Sequence, residues 1–334
     1  MTLLTISGIA LLLSFAGTAI LRKWLLRHAV VDTPNERSNH SGLIPRGAGI
    51  AVILSASLTT ACALLIIPFA DGDGALISTA TAIALAVIFF FEDMRGLPIL
   101  ERVIVQAAAI CIGISFLPGP VFGGFFQGWV DTLLAALLWL WFLNAVNFMD
   151  GIDGITGVET TSIAFGIIGL GFLHVAMPEG LTALAAALAG ASVGFLFWNW
   201  HKAKIFLGDS GSIPLGYLLG YALLSLASSG AWAAALILPA YYFADAGFTL
   251  SCRMLRGEKP WKAHSEHAYQ CAVRSGKSHA LVSTEIAVAN ALLVALATAV
   301  TIQKIPGWVG VLIAYALVFG LMRCFYSPRG CARE

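Results

Sequence analysis

Charge is what this sequence has least of. Only 11% of its 334 residues are Asp, Glu, Lys or Arg, where an ordinary soluble domain carries roughly 25%. A soluble globule of this length could not cover its surface with so few charges, and a disordered linker would carry more of them. The 19 basic and 18 acidic side chains nearly cancel to a net charge of +1, which excludes the basic footprint of a nucleic-acid binder. Cysteine is scarce too. There are six, none in a CxxC pair; Cys62 and Cys111 fall inside apolar runs, and Cys252, Cys271, Cys324 and Cys331 on one side of them. That excludes a secreted disulfide scaffold and a cysteine-built metal site.

What is abundant is apolar: 59% of the residues are hydrophobic, and 34 are glycine. An apolar helix needs about 20 residues to cross the hydrocarbon core, and small residues let such helices approach closely. Eleven runs qualify, at about 3–22, 48–70, 75–91, 103–117, 128–148, 158–177, 180–200, 212–229, 231–250, 281–301 and 306–323. The first is followed by Arg22 and Lys23 and lacks a small-residue cleavage site, so it reads as a retained helix. The expected fold is an all-α polytopic membrane protein with about 11 transmembrane helices, forming one integral membrane domain over 1–334.

Basic residues orient it. The loops 22–47, 92–102, 149–157, 201–211 and 251–280 and the C-terminal tail hold 18 of the 19 Lys and Arg residues; the opposite loops hold only Lys304. The N-terminus is therefore expected outside and the C-terminus in the cytosol. The outer loops are short and bland, whereas nearly every unusual polar cluster is cytosolic. A transporter places its site near the bilayer midplane between repeated halves, and no repeat is visible here. One-sided chemistry suits an enzyme that meets a soluble substrate in the cytosol and a lipid substrate in the membrane.

Five inner segments carry that chemistry. The first, 22–47, contains Asp32, Arg37, His40 and Arg46, with Gly47 and Gly49 able to bring backbone N–H groups near an anion. The second ends a span on the adjacent acids Glu92 and Asp93, costly beside a membrane unless a cation offsets them. The third, Asn144 to Gly157, has two Asn, two Asp, three Gly and no Lys or Arg, unlike an ordinary positive-inside loop. Asp150 and Asp153 there would share a face if the turn were helical. The fourth runs Gly208-Asp-Ser-Gly-Ser212 into a span, with more caps than one helix needs. The fifth, 251–280, is too long for a turn. It brings His264, His267 and His279 together with Arg274 and Lys277, which suits phosphate contacts; His264 and His267 would share a face if helical. Asp245, inside the ninth run, is a functional candidate by position, with pairing to Arg253 or Arg256 as the plainer alternative.

The segments Asp32-Thr-Pro-Asn-Glu-Arg-Ser-Asn-His40 with Pro45-Arg-Gly47, Glu92-Asp93, Asn147-Phe-Met-Asp-Gly-Ile-Asp-Gly154, Phe206-Leu-Gly-Asp-Ser-Gly-Ser212 and the His264/His267 loop occur in a familiar order. From about residue 30 to 280 the chain resembles the polyprenyl-phosphate N-acetylhexosamine-1-phosphate transferases. Its histidine loop, followed by Tyr269-Gln270 and Ser278-His279, is most similar to members that start bacterial O-antigen or related surface glycans. It is less similar to the branch that makes the peptidoglycan precursor. Two positions depart from the family pattern: Glu92 stands where the first aspartate of a pair is usual, and Phe89 where a glycine is expected.

The resemblance implies transfer of a sugar-1-phosphate from a UDP-N-acetylhexosamine to undecaprenyl phosphate with release of UMP, in a multi-pass protein of the bacterial inner membrane. It implies Mg²⁺, with Mn²⁺ as the alternative ion. Glu92, Asp93 and Asp209 would be catalytic, with Asp209 and Asp93 as metal ligands. Arg37, His40, Arg46, Asn147, Asp150, Asp153, His264 and His267 would bind substrate. The partners expected are the UDP-sugar, undecaprenyl phosphate and the lipid bilayer, with no nucleic acid. A homodimer stays open, since small-residue faces such as 181–194 can pack helices within or between chains.

Overall fold

The computed structural model describes residues 2–32, 43–67, 72–173, 177–259 and 264–326. Among them the chain forms α1 (Leu3–Arg27), α2 (Gly49–Ile66), α3 (Asp73–Arg95), α4 (Ile99–Ile114), α5 (Gly128–Met149), α6 (Ile155–Phe172), α7 (Glu179–Asn199) and α8 (Asp209–Leu226). These are followed by α9 (Trp232–Ile237), α10 (Ala240–Leu255), α11 (Ala268–Arg274), α12 (His279–Thr301) and α13 (Gly307–Phe325). A two-residue antiparallel ribbon pairs β1 (Val31–Asp32) with β2 (Ile44–Pro45), and a single parallel bridge joins Arg46 to Phe206. The molecule is an all-α polytopic membrane protein.

Among the described residues every apolar run forms helix. Nine helical stretches among the described residues are long and apolar enough to cross a bilayer: α1, α2, α3, α5, α6, α7, the Asp209–Ile237 stretch, α12 and α13. The 103–117 run becomes α4 and the 231–250 run divides at Pro239 into α9 and α10, a proline being unable to continue the hydrogen-bond ladder. At 16 residues each, α4 and α10 are shorter than those nine.

The bundle is organised around α8, buried along its whole length. It packs between α3 and α5, where Trp139 stacks on Tyr217 at 4.9 Å and donates its indole N–H to the Tyr217 carbonyl. On the far side α1 lies against α7. Gly190 makes this possible, since a Cβ there would fall 2.0 Å from the Ser7 carbonyl oxygen, and the Ser7 hydroxyl donates to the Ala186 carbonyl at 2.8 Å. The small-residue face 181–194 thus packs within the chain. With the helices alternating in direction, the starts of α2, α4, α6, α8 and α12 meet the ends of α3, α5, α7 and α10 at one face.

Candidate active site

Two distant segments form the floor of that face. The Phe206 N–H donates to the Pro45 carbonyl at 2.8 Å, and Gly47, Ala48 and Gly49 donate back to the carbonyls of Phe206 and Leu207. This zipper fixes the entries of α2 and α8 side by side. Gly208 has φ +76, and a Cβ on it would meet the Asp93 carboxylate at 2.6 Å, so only glycine lets the backbone lie this close to the acid.

Onto this floor converge Glu92 and Asp93 from the end of α3 and Asp209 from the start of α8. Each offers a carboxylate oxygen, all within 4.8 Å of one another. Three like charges at that spacing repel strongly unless cations offset them. Two guanidiniums do so. Arg46 bonds Asp93 at 2.9 Å and Asp209 at 2.7 Å. Arg102, from the start of α4, bonds Asp209 and lies 3.3 Å from Glu92. Asn147, at the end of α5, donates to Asp209 at 3.2 Å and to the Ser212 hydroxyl at 2.8 Å. Six side chains from four helix ends and one loop thus meet. An all-oxygen set of three carboxylates suits a hard divalent cation such as Mg²⁺.

Asp150 and Asp153 do not share a helical face. α5 stops at Met149 and α6 starts at Ile155, and Gly154 between them has φ +82, so the turn is irregular and the two acids diverge. Asp150 is half-buried on the side of Arg46 and Asp209. Desolvation pushes its pKa up to about 7, opposed by a bond from Thr156 and by the Arg46 charge. Asp153 instead bonds His201 at 2.8 Å, the Ala203 N–H at 3.1 Å and His279 at 3.2 Å. Burial works to raise its pKa, but the bonds from His279 and His201 outweigh that and hold it below the usual carboxylate value. Asp153, His201 and His279 form a second close group, their ligand atoms also within 4.8 Å of one another.

His264 and His267 are adjacent, their rings 4.9 Å apart, but residues 264–266 are not helical, because α11 begins only at Ala268. Burial first, with the His267 and Arg253 charges, pulls the His264 pKa down to about 4. The pair joins the site through Tyr269, stacked on His267 at 5.8 Å, whose hydroxyl donates to the Phe148 carbonyl beside Asn147. Asp245 does not pair with Arg253 or Arg256, which bond Glu258 and Glu266. It accepts from the Ala268 and Tyr269 N–H groups, from the Tyr241 and Thr249 hydroxyls, and lies 3.3 Å from His267 Nδ1. Arg37 and His40 lie outside the described residues.

A family model described as glycosyl transferase family 4 matches residues 75–227, the stretch holding Glu92, Asp93, Arg102, Asn147 and Asp209. The chain is 26% identical over 227 residues to a probable undecaprenyl-phosphate N-acetylglucosaminyl 1-phosphate transferase of Bacillus subtilis, covering 63% of this chain and 59% of that protein. It is 29% identical over 232 residues to a decaprenyl-phosphate N-acetylglucosaminephosphotransferase of Mycolicibacterium smegmatis, covering 64% and 57%. It is 34% identical over 237 residues to a phospho-N-acetylmuramoyl-pentapeptide-transferase of Micrococcus luteus, covering 66% and 54%. The chain is thus similar to the polyprenyl-phosphate hexosamine-1-phosphate transferases. It spans little more than half the length of these relatives.

Three residues that the sequence alone did not mark join the site. Arg102 reads as one more cation of a positive-inside loop; its signal was its place just after two adjacent acids. His201 is hidden in the basic 201–211 loop. Asn199, whose side chain accepts from the Gly154 N–H and donates to the Ile205 carbonyl, ties the Asp153 turn to that loop.

Proposed function

We propose that this protein transfers an N-acetylhexosamine-1-phosphate from a UDP-sugar to undecaprenyl phosphate and releases UMP. We place this at the cytosolic face of the bacterial inner membrane, as the first membrane step of O-antigen or related surface-polysaccharide synthesis. The observation that carries the reading is the convergence of Glu92, Asp93 and Asp209 with Arg46 and Arg102 at one face of the bundle.

The chemistry needs that combination. An oxygen of the acceptor phosphate attacks the phosphorus bearing the sugar. The new diphosphate bond forms as the donor's own diphosphate bond breaks, and UMP leaves with the bridging oxygen. A phosphate monoester has a second pKa of about 6, so the nucleophile is mostly a dianion at neutral pH and needs little help from a base. Its difficulty is repulsion from the diphosphate it approaches. The carboxylates suit Mg²⁺, or Mn²⁺ in its place, which when bound supplies positive charge to the reacting phosphates. Arg46 and Arg102 receive phosphate charge. Asn147 orients Asp209. Asp150, Asp153, His264 and His267 flank the site where the donor's nucleotide and diphosphate would lie.

A place for the lipid tail supports the same reading. An apolar cavity of about 560 Å³ lies between α5, α8, α9 and α10, lined by Phe122, Trp139, Phe142, Leu224 and Phe243 among others. Its lining runs from the segment before α5 and the end of α8 inward to Phe142 and Phe243, so it offers apolar surface to part of an isoprenoid chain. A second reading, transfer of a phospho-muramoyl-peptide, is favoured by the 34% identity to the Micrococcus luteus protein.

The test is UMP release by purified protein given undecaprenyl phosphate, Mg²⁺ and a panel of UDP-N-acetylhexosamines and UDP-muramoyl-pentapeptide, beside an Asp209→Asn control. Lipid-dependent UMP release with a hexosamine donor, abolished by the substitution, is expected. Release with the muramoyl donor alone would favour the second reading, and no release from folded protein with any donor would overturn both.

A further inference from the structure

We propose that the adjacent acids Glu92 and Asp93 divide their work. Glu92, with Asp209, faces the cation and the phosphates, while Asp93 is a positioning residue that anchors the first turn of α8 and so aims Asp209. This rests on the transferase reading and assigns the parts within it.

The argument starts from the four N–H groups that begin any α-helix without a partner of their own. The α8 N-cap is Gly208, which has no side chain to cap with. Asp93 supplies the cap from another helix. Its Oδ1 accepts from the Asp209 N–H and its Oδ2 from the Ser210 N–H, both at 3.1 Å. The Gly211 and Ser212 N–H groups turn back to the Gly208 carbonyl at 3.0 Å each. The account of the first turn is then closed, and it needs both oxygens of Asp93. A carboxylate on a helix N-terminus is also favoured by the helix dipole. The Asp93 side chain is accordingly 1% exposed.

Glu92 also pairs with an arginine but has no such backbone anchor. Its ion pair is with Arg102 at 3.3 Å, and no backbone N–H bonds it among the described residues. Asp209 likewise is held by side chains alone, those of Arg46, Arg102 and Asn147. Partners on flexible side chains can be exchanged for a cation or a phosphate as substrate enters. Partners on the backbone of α8 cannot swing away, because they are fixed in the helix that carries Asp209, and losing them leaves its first N–H groups unpaired. Exchangeability therefore separates the two acids: Glu92 and Asp209 are free to change partners, and Asp93 is not.

The experiment uses the full chain in lipid nanodiscs, with Mn²⁺ as the probe read by electron paramagnetic resonance, and amide hydrogen exchange over 205–215 without metal. For Glu92→Gln the expected result is Mn²⁺ binding weakened on the order of tenfold, as for loss of a charged ligand, with 209–212 still protected. For Asp93→Asn the expected result is Mn²⁺ affinity within about threefold of wild type, faster exchange at Asp209 and Ser210, and turnover lowered about 10–100-fold at little-changed donor KM. An asparagine keeps one acceptor and turns its NH₂ toward the other N–H. Asp93→Glu, which keeps both oxygens, recovers part of the protection and serves as the comparison if the asparagine variant does not fold. Loss of Mn²⁺ binding in Asp93→Asn equal to that in Glu92→Gln, with exchange unchanged, would overturn the proposal. Absence of Mn²⁺ binding by the wild type would sink the metal-dependent reading instead, and the exchange data would still decide whether Asp93 holds α8.

Discussion

Arg102 and Asp209 are ion-paired across 107 residues of sequence, one at the start of α4 and the other at the start of α8. The pair sets a lone α4 cation against a cluster of three acids that Arg46 alone would leave more strongly negative. Replacing Arg102 by Ala should therefore lower turnover by about two orders of magnitude, the scale seen when one preorganised charge partner is removed. Arg102→Lys should recover part of it, because a point charge replaces a fork that reaches two acids. Steady-state UMP release checks both, and an unaltered rate in the alanine variant would remove Arg102 from the site.

Asp245 is fully buried and accepts two backbone N–H bonds from the first turn of α11. Asp245→Asn should cost about 2–3 kcal/mol, since at least one buried N–H loses its acceptor. The donor KM should rise as His267 loosens, while Mn²⁺ affinity stays unchanged. Thermal unfolding and donor titration read the two effects separately.

His264 provides a pH signature. Burial lowers its pKa to about 4, below the ordinary value of 6.5, so the folded protein binds this proton more weakly than the unfolded chain. The associated stability is present above about pH 6.5 and drains away as pH falls toward 4. His264→Gln should flatten the dependence of the unfolding temperature on pH across that window. An identical slope in the variant would assign the proton elsewhere.

Gly190 admits the backbone of α1 against α7, with 2.0 Å between its would-be Cβ and the Ser7 carbonyl. Gly190→Leu should separate these helices and destabilise the protein by about 1–3 kcal/mol or more, as overpacking does. The same change at Gly8, where nothing lies within 4 Å, should be nearly silent. Paired melting curves in one detergent make the comparison.

Much of this architecture is legible in the sequence because lipid imposes a simple rule: long apolar runs become helices, and among the described residues all of the runs did. The site was legible in part for a similar reason. Acids, asparagines and glycines in a loop next to a membrane have little structural excuse, and Glu92, Asp93, Asn147 and Asp209 do meet. Spacing misled where glycines break the helix. Asp150 and Asp153 sit three apart, but the turn through Gly151 and Gly154 sends one toward Arg46 and the other toward His201 and His279. Partners from remote segments left no local trace. Nothing near Asp245 announces that it will hold an N-terminus 23 residues further on, and Arg102 has the same appearance as any cytosolic arginine.

The zipper between residues 45–49 and 206–207 also sets a schedule. Its two halves flank a pair, Arg46 and Asp209, separated by 163 residues, so a chain growing from the ribosome threads seven helices into the membrane before the second half is made. Until then Arg46 has no floor to lie on, and Glu92 and Asp93 have no α8 to meet. The pocket cannot be assembled in instalments. A chain arrested before α8 would be membrane-bound yet would lack the pocket altogether.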